Sequence, residues 1–243
     1  METDLPEVVL MTTASVDGRI TLGKYQRLLD PAVSERWNTL QVPGSFPGRP
    51  ADLASHVCLE GSGSFVDVDA EAPAWPVPST PEQELWGDHL PRSAPNWFVV
   101  ADSRGRVSWT FTGDEMTILH VLVCRATPPG YLQRLRDLGI GYFVVGDHQV
   151  DLRAALVRVG QVFRADRVII DSGGTMNAAL LRQGLVDIVD VVTLPGLVGG
   201  IGTPTIMDGP PLRNHECPIR LQLLDSSVER GAVRSRYRVL GPG

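Results

Sequence analysis

The segment RVIIDSGGTMNAALLRQGLVDIVDVVTL, residues 167–194, decides how the chain folds. Arg167–Ile170 is short, apolar and β-branched, which reads as a buried strand. Asp171-Ser172-Gly173-Gly174-Thr175 is a turn. Asn177–Gln183 reads as a helix stopped by Gly184, and Ile188–Leu194 as the next strand. A strand, a helix and a second strand joined by such short links form a parallel crossover, the unit of an α/β sheet.

The same alternation extends upstream. Trp97–Ala101 and Ile118–Cys124 read as strands, with the polar turn Asp102-Ser103-Arg104-Gly105-Arg106 after the first. Pro129–Leu138 is a predicted helix closed by Gly139, and Tyr142–Val145 a strand. Leu152–Val159 is a predicted helix capped by Asp151. Nearer the start, Val8–Thr13 is a strand running into a turn at Asp17-Gly18. Asp30 and Pro31 open a helix to Leu40. Gln41–Pro50 reads as loop, and Val57–Glu60 as a strand ending in Gly61-Ser62-Gly63-Ser64. Downstream, Ile219–Ser226 and Gly231–Leu240 flank Val228-Glu229-Arg230-Gly231, an expected antiparallel hairpin. Residues 67–96 break the rhythm. Six prolines forbid long regular elements there, and Trp75, Trp86 and Trp97 make the stretch either a wall over a pocket or an anchored surface loop. No linker separates two cores, so one domain over 1–243 is expected.

Composition limits the function. The 243 residues carry 22 basic and 28 acidic side chains, a net charge of −6. That balance shows no basic footprint for nucleic acid. No apolar run approaches the ~20 residues of a membrane helix, and Glu2 and Asp4 stand where a secretory leader is basic. Cys58, Cys124 and Cys217 are far apart, and the five histidines lack paired spacing. No metal site is therefore expected.

Chemistry in an open α/β sheet gathers beyond the carboxyl ends of its strands. Three such ends carry small or glycine-rich turns: Gly61–Ser64, Asp102–Arg104 and Ser172–Thr175. Glycine admits close backbone approach, and the N–H groups opening the following helix favour an anion. One Gly-Gly turn alone reads as helix-on-sheet packing; three together point to a nucleotide. No GxGxxG follows the first strand, where Thr12-Thr13-Ala14-Ser15 stands instead, and no P-loop lysine exists. Ser103 and Arg104 suit a 2′-phosphate, although a solvated turn arginine reads equally well. Asp17, Asp67, Asp69 and Asp171 are the acid–base candidates.

These motifs resemble the riboflavin-pathway pyrimidine reductases, the reductase domain of a bifunctional deaminase-reductase with a dihydrofolate reductase-like fold. Ser15-Val16-Asp17-Gly18-Arg19-Ile20 is similar to the family opening S-L-D-G-[RK]-I, and Gly61–Ser64 to its G-x-G-T turn. Val99–Arg106 resembles V-V-x-D-S-x-G-R, Ser172–Asn177 with Leu185–Asp187 resembles E-G-G-G-T-L-N and L-V-D-E, and Leu194–Gly200 resembles A-P-x-x-x-G-G. The five pieces stand in the family's order.

The resemblance implies an α/β fold with a mixed, mostly parallel sheet, flanking helices and a C-terminal antiparallel hairpin. It implies NADPH as cofactor, held by Gly61, Ser62, Gly63, Ser64, Ser103, Arg104, Gly173, Gly174, Thr175 and Met176. The implied substrate is a phosphorylated ribosylamino-pyrimidine or related heterocycle, near Thr13, Ser15, Asp17, Gly199 and Gly200. Its ribose is reduced to a ribityl chain. A cytoplasmic homodimer through the hairpin is also implied. The substrate-side aspartate falls on Asp67 or Asp69, in a segment that departs from the family pattern. The departures leave three further expectations open: a specialised substrate, a pterin or folate reductase, or a non-catalytic ligand-binding relative. No HxE…PCxxC pattern occurs, so no deaminase is expected.

Overall fold

The computed structural model describes residues 5–41, 50–67 and 69–242. In chain order it contains β1 (Glu7–Ser15), α1 (Pro31–Asn38), β2 (Val57–Gly61), α2 (Glu82–Leu85) and β3 (Asn96–Ala101). Then follow β4 (Thr117–Val123), α3 (Pro129–Asp137), β5 (Gly141–Val144), α4 (Leu152–Phe163) and β6 (Arg167–Ile170). The last elements are α5 (Gly174–Arg182), β7 (Ile188–Leu194), β8 (Ile219–Glu229) and β9 (Ala232–Pro242). This is the α/β class, mostly parallel with a C-terminal antiparallel hairpin, that the alternation predicts. Most of the expected Gln41–Pro50 loop lies outside the described residues.

Two compact units divide the chain, Met1–Pro6 with Ser55–Val168 and Glu7–Ala54 with Ile169–Gly243. The first unit orders its strands β5-β4-β3-β2, all parallel. Every residue of β4 after Thr117 is buried, as a strand covered on both faces requires. Val100, Leu119, Val121 and Val123 pack there with Tyr131, Leu132 and Leu135 of α3.

In the second unit the order is β1-β7-β9-β8. β1 and β7 are parallel, with Thr13 opposite Val192, whereas β9 is antiparallel to both its neighbours. Trp37 of α1 packs with Val192, Leu194 and Ala232. The hairpin turns at Arg230 and Gly231, both at positive φ (49° and 90°). That backbone is the two-residue turn matching strand twist.

Local signals set several boundaries. The Asp30 carboxylate accepts from Ala32 N–H at 2.9 Å and that of Asp151 from Ala154 N–H at 3.0 Å, each capping its helix. Gly139 and Gly184 end theirs in left-handed backbone. α1 ends at Asn38, short of the expected Leu40, and α3 at Asp137, one residue before Leu138. Two helices differ more. α4 runs on to Phe163 because Val159 and Phe163 continue its buried stripe. α5 begins at Gly174 rather than Asn177, so the glycine pair forms the helix start itself.

The proline-rich stretch is anchored along its length. Leu85 is fully buried, Trp86 packs on the first unit's core, and His89 exchanges backbone hydrogen bonds with Tyr142 at 2.9 and 2.8 Å. Asp88 accepts from Val144 N–H at 3.1 Å and from Arg158 Nε at 2.9 Å. The segment thus covers β5, at the end of its unit's strand order, where bare strand edges invite pairing with other chains.

Candidate functional site

In the first unit β2 ends in a single 3-10 turn, Ser62–Ser64. A Cβ added to Gly63 meets nothing within 4 Å, so this turn borders open space. Ser62 is buried, and its hydroxyl accepts from Arg106 Nη2 at 3.0 Å. Arg106 Nη1 donates to the Asp67 backbone carbonyl at 3.0 Å. One guanidinium therefore ties the end of β2 and the segment after it to the turn that follows β3. Asp67 is half-buried and Asp69 exposed, and both lie just past the β2 end.

The turn after β3 is built on Asp102, which is fully buried. Its Oδ2 accepts from the N–H groups of Arg106 (2.7 Å) and Val107 (3.0 Å) and from the Tyr131 hydroxyl (3.1 Å). The Ser103 hydroxyl accepts from Val150 N–H at 2.9 Å, while its carbonyl accepts from Thr127 Oγ1 at 2.8 Å. The Ser103 hydroxyl proton is not used by that bond from Val150. Arg104 is exposed at the tip. Burial lowers the Arg106 pKa, the charge of Arg104 lowers it further, and Asp102 works against both. Two guanidinium groups thus share a tight turn, the buried one of Arg106 bonded inward and that of Arg104 exposed.

In the second unit Gly173 caps α5 with extended backbone, and a Cβ there meets nothing within 4 Å. Gly174 is different. A Cβ on it would strike the Thr205 carbonyl and come within 2.5 Å of an Asp208 oxygen. Its own carbonyl accepts from Asp208 N–H at 2.9 Å. The first glycine opens the helix to space; the second admits the 205–208 loop. Asn177 is fully buried and donates to the carbonyls of Ser172 (3.2 Å) and Ile206 (2.8 Å), leaving Oδ1 without a partner. Thr175 is exposed and Met176 half-buried at this helix start, where first-turn N–H groups lack intrahelical acceptors.

The substrate-side candidates Ser15, Asp17 and Gly199 come together. Ser15 Oγ donates to Asp17 Oδ1 at 2.6 Å, and the same carboxylate accepts from Val198 N–H (3.0 Å) and Gly199 N–H (2.7 Å). The Ser15 hydrogen bond first, then that from Val198, hold the Asp17 pKa well below the usual carboxylate range; burial opposes them, and the Gly199 N–H adds to the lowering. The Asp17 carboxylate is therefore a latch joining the turn after β1 to the 196–200 loop. Gly200 packs on the Thr203 side chain, and Thr13 lies two residues before the β1 end. Among the described residues no three His, Cys, Asp or Glu side chains converge as a metal site, and no helix is long and apolar enough to cross a membrane.

Arg106, Tyr131 and Asp208 are the residues that the sequence does not single out. Arg106 stands in a polar turn, yet it is only 7% exposed. Its burial depends on Ser62 and Asp67, remote in sequence.

A protein-family model described as the RibD C-terminal domain matches residues 54–232. A riboflavin biosynthesis protein RibD of Chlamydia trachomatis is 27% identical over 210 residues, covering 85% of this chain and 50% of that protein. A 2,5-diamino-6-ribosylamino-4(3H)-pyrimidinone 5′-phosphate reductase of Methanothermobacter thermautotrophicus is 33% identical over 145 residues, 59% of this chain and 66% of that one. Among solved structures, Acinetobacter baumannii RibD superposes with a TM-score of 0.63 at 20% identity, over 98% of this chain and 59% of the other. The chain thus spans between half and two thirds of the length of these relatives.

Proposed function

The chain belongs to the RibD C-terminal domain family, and from that premise we propose that it is an NADPH-dependent reductase of a phosphorylated ribosylamino-pyrimidine. The observation that carries the cofactor half is the turn after β3. It carries the Ser103 hydroxyl, whose proton the bond from Val150 leaves available, and the exposed Arg104 guanidinium on a turn fixed through the Ser103 carbonyl and the Arg106 N–H. A 2′-phosphate suits that pair, since it accepts from a hydroxyl and a guanidinium fork together.

The fit is supported, in each unit by itself, by the open space beside Gly63 and by that beside Gly173. Gly61–Ser64 would flank the nicotinamide side, and Gly173–Met176 would face the diphosphate with helix N–H groups. The chemistry supplied there is a hydride, taken up at ribose C1 of an imine tautomer of the substrate to leave a ribityl chain. The protein's part is to hold donor and acceptor carbons near contact and to supply a proton to the former imine nitrogen. Asp67 or Asp69 is the proton donor in this reading. Asp17 is not, because its carboxylate is taken up by Ser15, Val198 and Gly199 and its pKa is held low; it shapes the Val198–Gly200 backbone around the substrate together with Ser15 and Thr13.

The whole of 1–243 acts as one reductase module in this reading, of which the family match covers residues 54–232. The long β8 strand exposes Leu221, Leu223, Leu224 and Val228, which supports a homodimer through the hairpin, and the expected compartment is the cytoplasm. Fluorescence titration with NADPH and NADH, followed by NADPH oxidation with the phosphorylated pyrimidine substrate, tests the proposal. Tight NADPH binding with turnover supports it. Binding of neither nucleotide overturns it, and binding without turnover on that substrate overturns its substrate half.

A further inference from the structure

Trp75 reaches out of the proline-rich stretch to the nucleotide-binding turn. Its indole Nε1 donates to the Gly105 carbonyl at 2.8 Å, and its ring lies 5.2 Å from that of Tyr131. Gly105 belongs to the turn that carries Ser103 and Arg104, and it is buried. Its φ is +60°, and a Cβ on it would lie 2.9 Å from the Tyr131 ring, so the turn presses directly on that aromatic face. Tyr131 is fully buried; its hydroxyl donates to Asp102 and accepts from Trp109 Nε1 at 2.7 Å. Gly130 lets the strand of chain carrying Trp75 cross the start of α3, because a Cβ there would strike the Pro76 carbonyl and come within 2.8 Å of Trp75 Cβ.

The turn is thereby held from two sides. Asp102 takes the N–H groups of Arg106 and Val107 from within, and Trp75 takes the Gly105 carbonyl from without. A buried carbonyl that loses its donor pulls toward water or re-pairs. Here either response moves Arg104, its immediate neighbour. Binding groups held in the bound geometry beforehand need less ordering when ligand arrives.

We infer that Trp75 is a positioning residue for the Ser103–Arg106 turn, so that the proline-rich segment sets how strongly this protein prefers a nucleotide bearing a 2′-phosphate. The inference rests on the reading of that turn as the 2′-phosphate site. Trp75→Phe keeps a ring on Tyr131 and removes the donor. The expected result is an NADPH dissociation constant raised about tenfold, the usual worth of one hydrogen bond to a buried acceptor, with that for NADH changed less than about twofold. General loosening of the fold would weaken both nucleotides in parallel, so the ratio of the two constants is the readout. Tyr131→Phe, which removes the hydroxyl on Asp102 and keeps the ring, is expected to raise the NADPH-to-NADH ratio of dissociation constants in the same direction and serves if Trp75→Phe does not fold.

Arg104→Ala separates the inference from the reading beneath it. If Arg104→Ala collapses the NADPH preference while both aromatic variants leave the ratio at the wild-type value, the positioning role is overturned and the phosphate site stands. If the wild-type protein binds 2′,5′-ADP no better than 5′-AMP, the reading of the turn fails and the inference falls with it.

Discussion

Asp102 and His120 are both fully buried in the same compact unit, and the fold treats them in opposite ways. Asp102, at the end of β3, receives two backbone N–H groups and a phenol on one oxygen. His120, in the middle of β4, has neither ring nitrogen hydrogen-bonded. It is enclosed instead by rings, with Phe143 at 4.1 Å, Phe163 at 5.1 Å and Trp97 at 6.1 Å between centroids. Polar density gathers at the strand end, where it fixes the shape of a turn. Along the strand's interior the same unit packs an imidazole as though it were an aromatic hydrocarbon. A buried polar group with partners specifies backbone geometry; one without partners only costs stability.

The contrast is open to direct attack, and the largest effect is expected at Asp102. Asp102→Leu leaves Arg106 N–H, Val107 N–H and the Tyr131 hydroxyl without their acceptor. The expected loss is about 3–5 kcal/mol in urea unfolding. Tryptophan fluorescence suits the measurement, since Trp75, Trp86, Trp97 and Trp109 all belong to this unit. A loss under about 1 kcal/mol would show that the turn does not depend on the carboxylate.

His120→Leu should act with the opposite sign. Burial first, then the neighbouring His89, lowers the His120 pKa from 6.5 to about 3. The folded state thus binds a proton less readily than the unfolded chain. Stability from the neutral ring is complete above pH 6.5 and drains away as pH falls toward 3. At pH 5 the loss is about 2 kcal/mol for this one group. His89 is itself lowered, by burial and then by Arg136, and adds a smaller loss in the same direction. The leucine variant is expected to be more stable than wild type at every pH, and to lose distinctly less stability between pH 7 and pH 5. Equal pH slopes for the two proteins would break the comparison.

What the sequence shows of this molecule is what short-range physics determines. The caps at Asp30 and Asp151, the stops at Gly139 and Gly184, and the parallel alternation from Trp97 to Leu194 each depend on residues within a few positions. The three candidate turns were legible for the same reason. The start of α5 was not, because glycine disfavours helix interiors and Asn177 resembles a cap; contact with the 205–208 loop makes Gly174 helical. Arg106 reads as a solvated turn residue, and the Ser62 hydroxyl and the Asp67 carbonyl, 44 and 39 positions away, make it a buried clasp. His120 sits in an apolar run that reads correctly as strand. Its lack of partners is a property of Phe143 and Phe163, which no local pattern reports. The roles of Trp75 and Tyr131 likewise arise where distant segments cross.

The finest test of the contrast lies at Thr127, also fully buried, which supports the same turn from its outer side. Its hydroxyl donates to the Ser103 carbonyl at 2.8 Å and accepts from Cys124 N–H at 3.0 Å. Thr127→Val preserves shape and removes both bonds. The cost should nonetheless be small, because the Cys124 thiol already lies 3.5 Å from the Ser103 carbonyl and donates weakly to it. One orphaned N–H and one weakened acceptor predict a loss of about 1 kcal/mol, well below that at Asp102. If Thr127→Val instead matches Asp102→Leu in urea unfolding, the turn is held as much by its outer carbonyl as by its inner carboxylate. Asp102 would then be one support among equals rather than the group around which the turn is built.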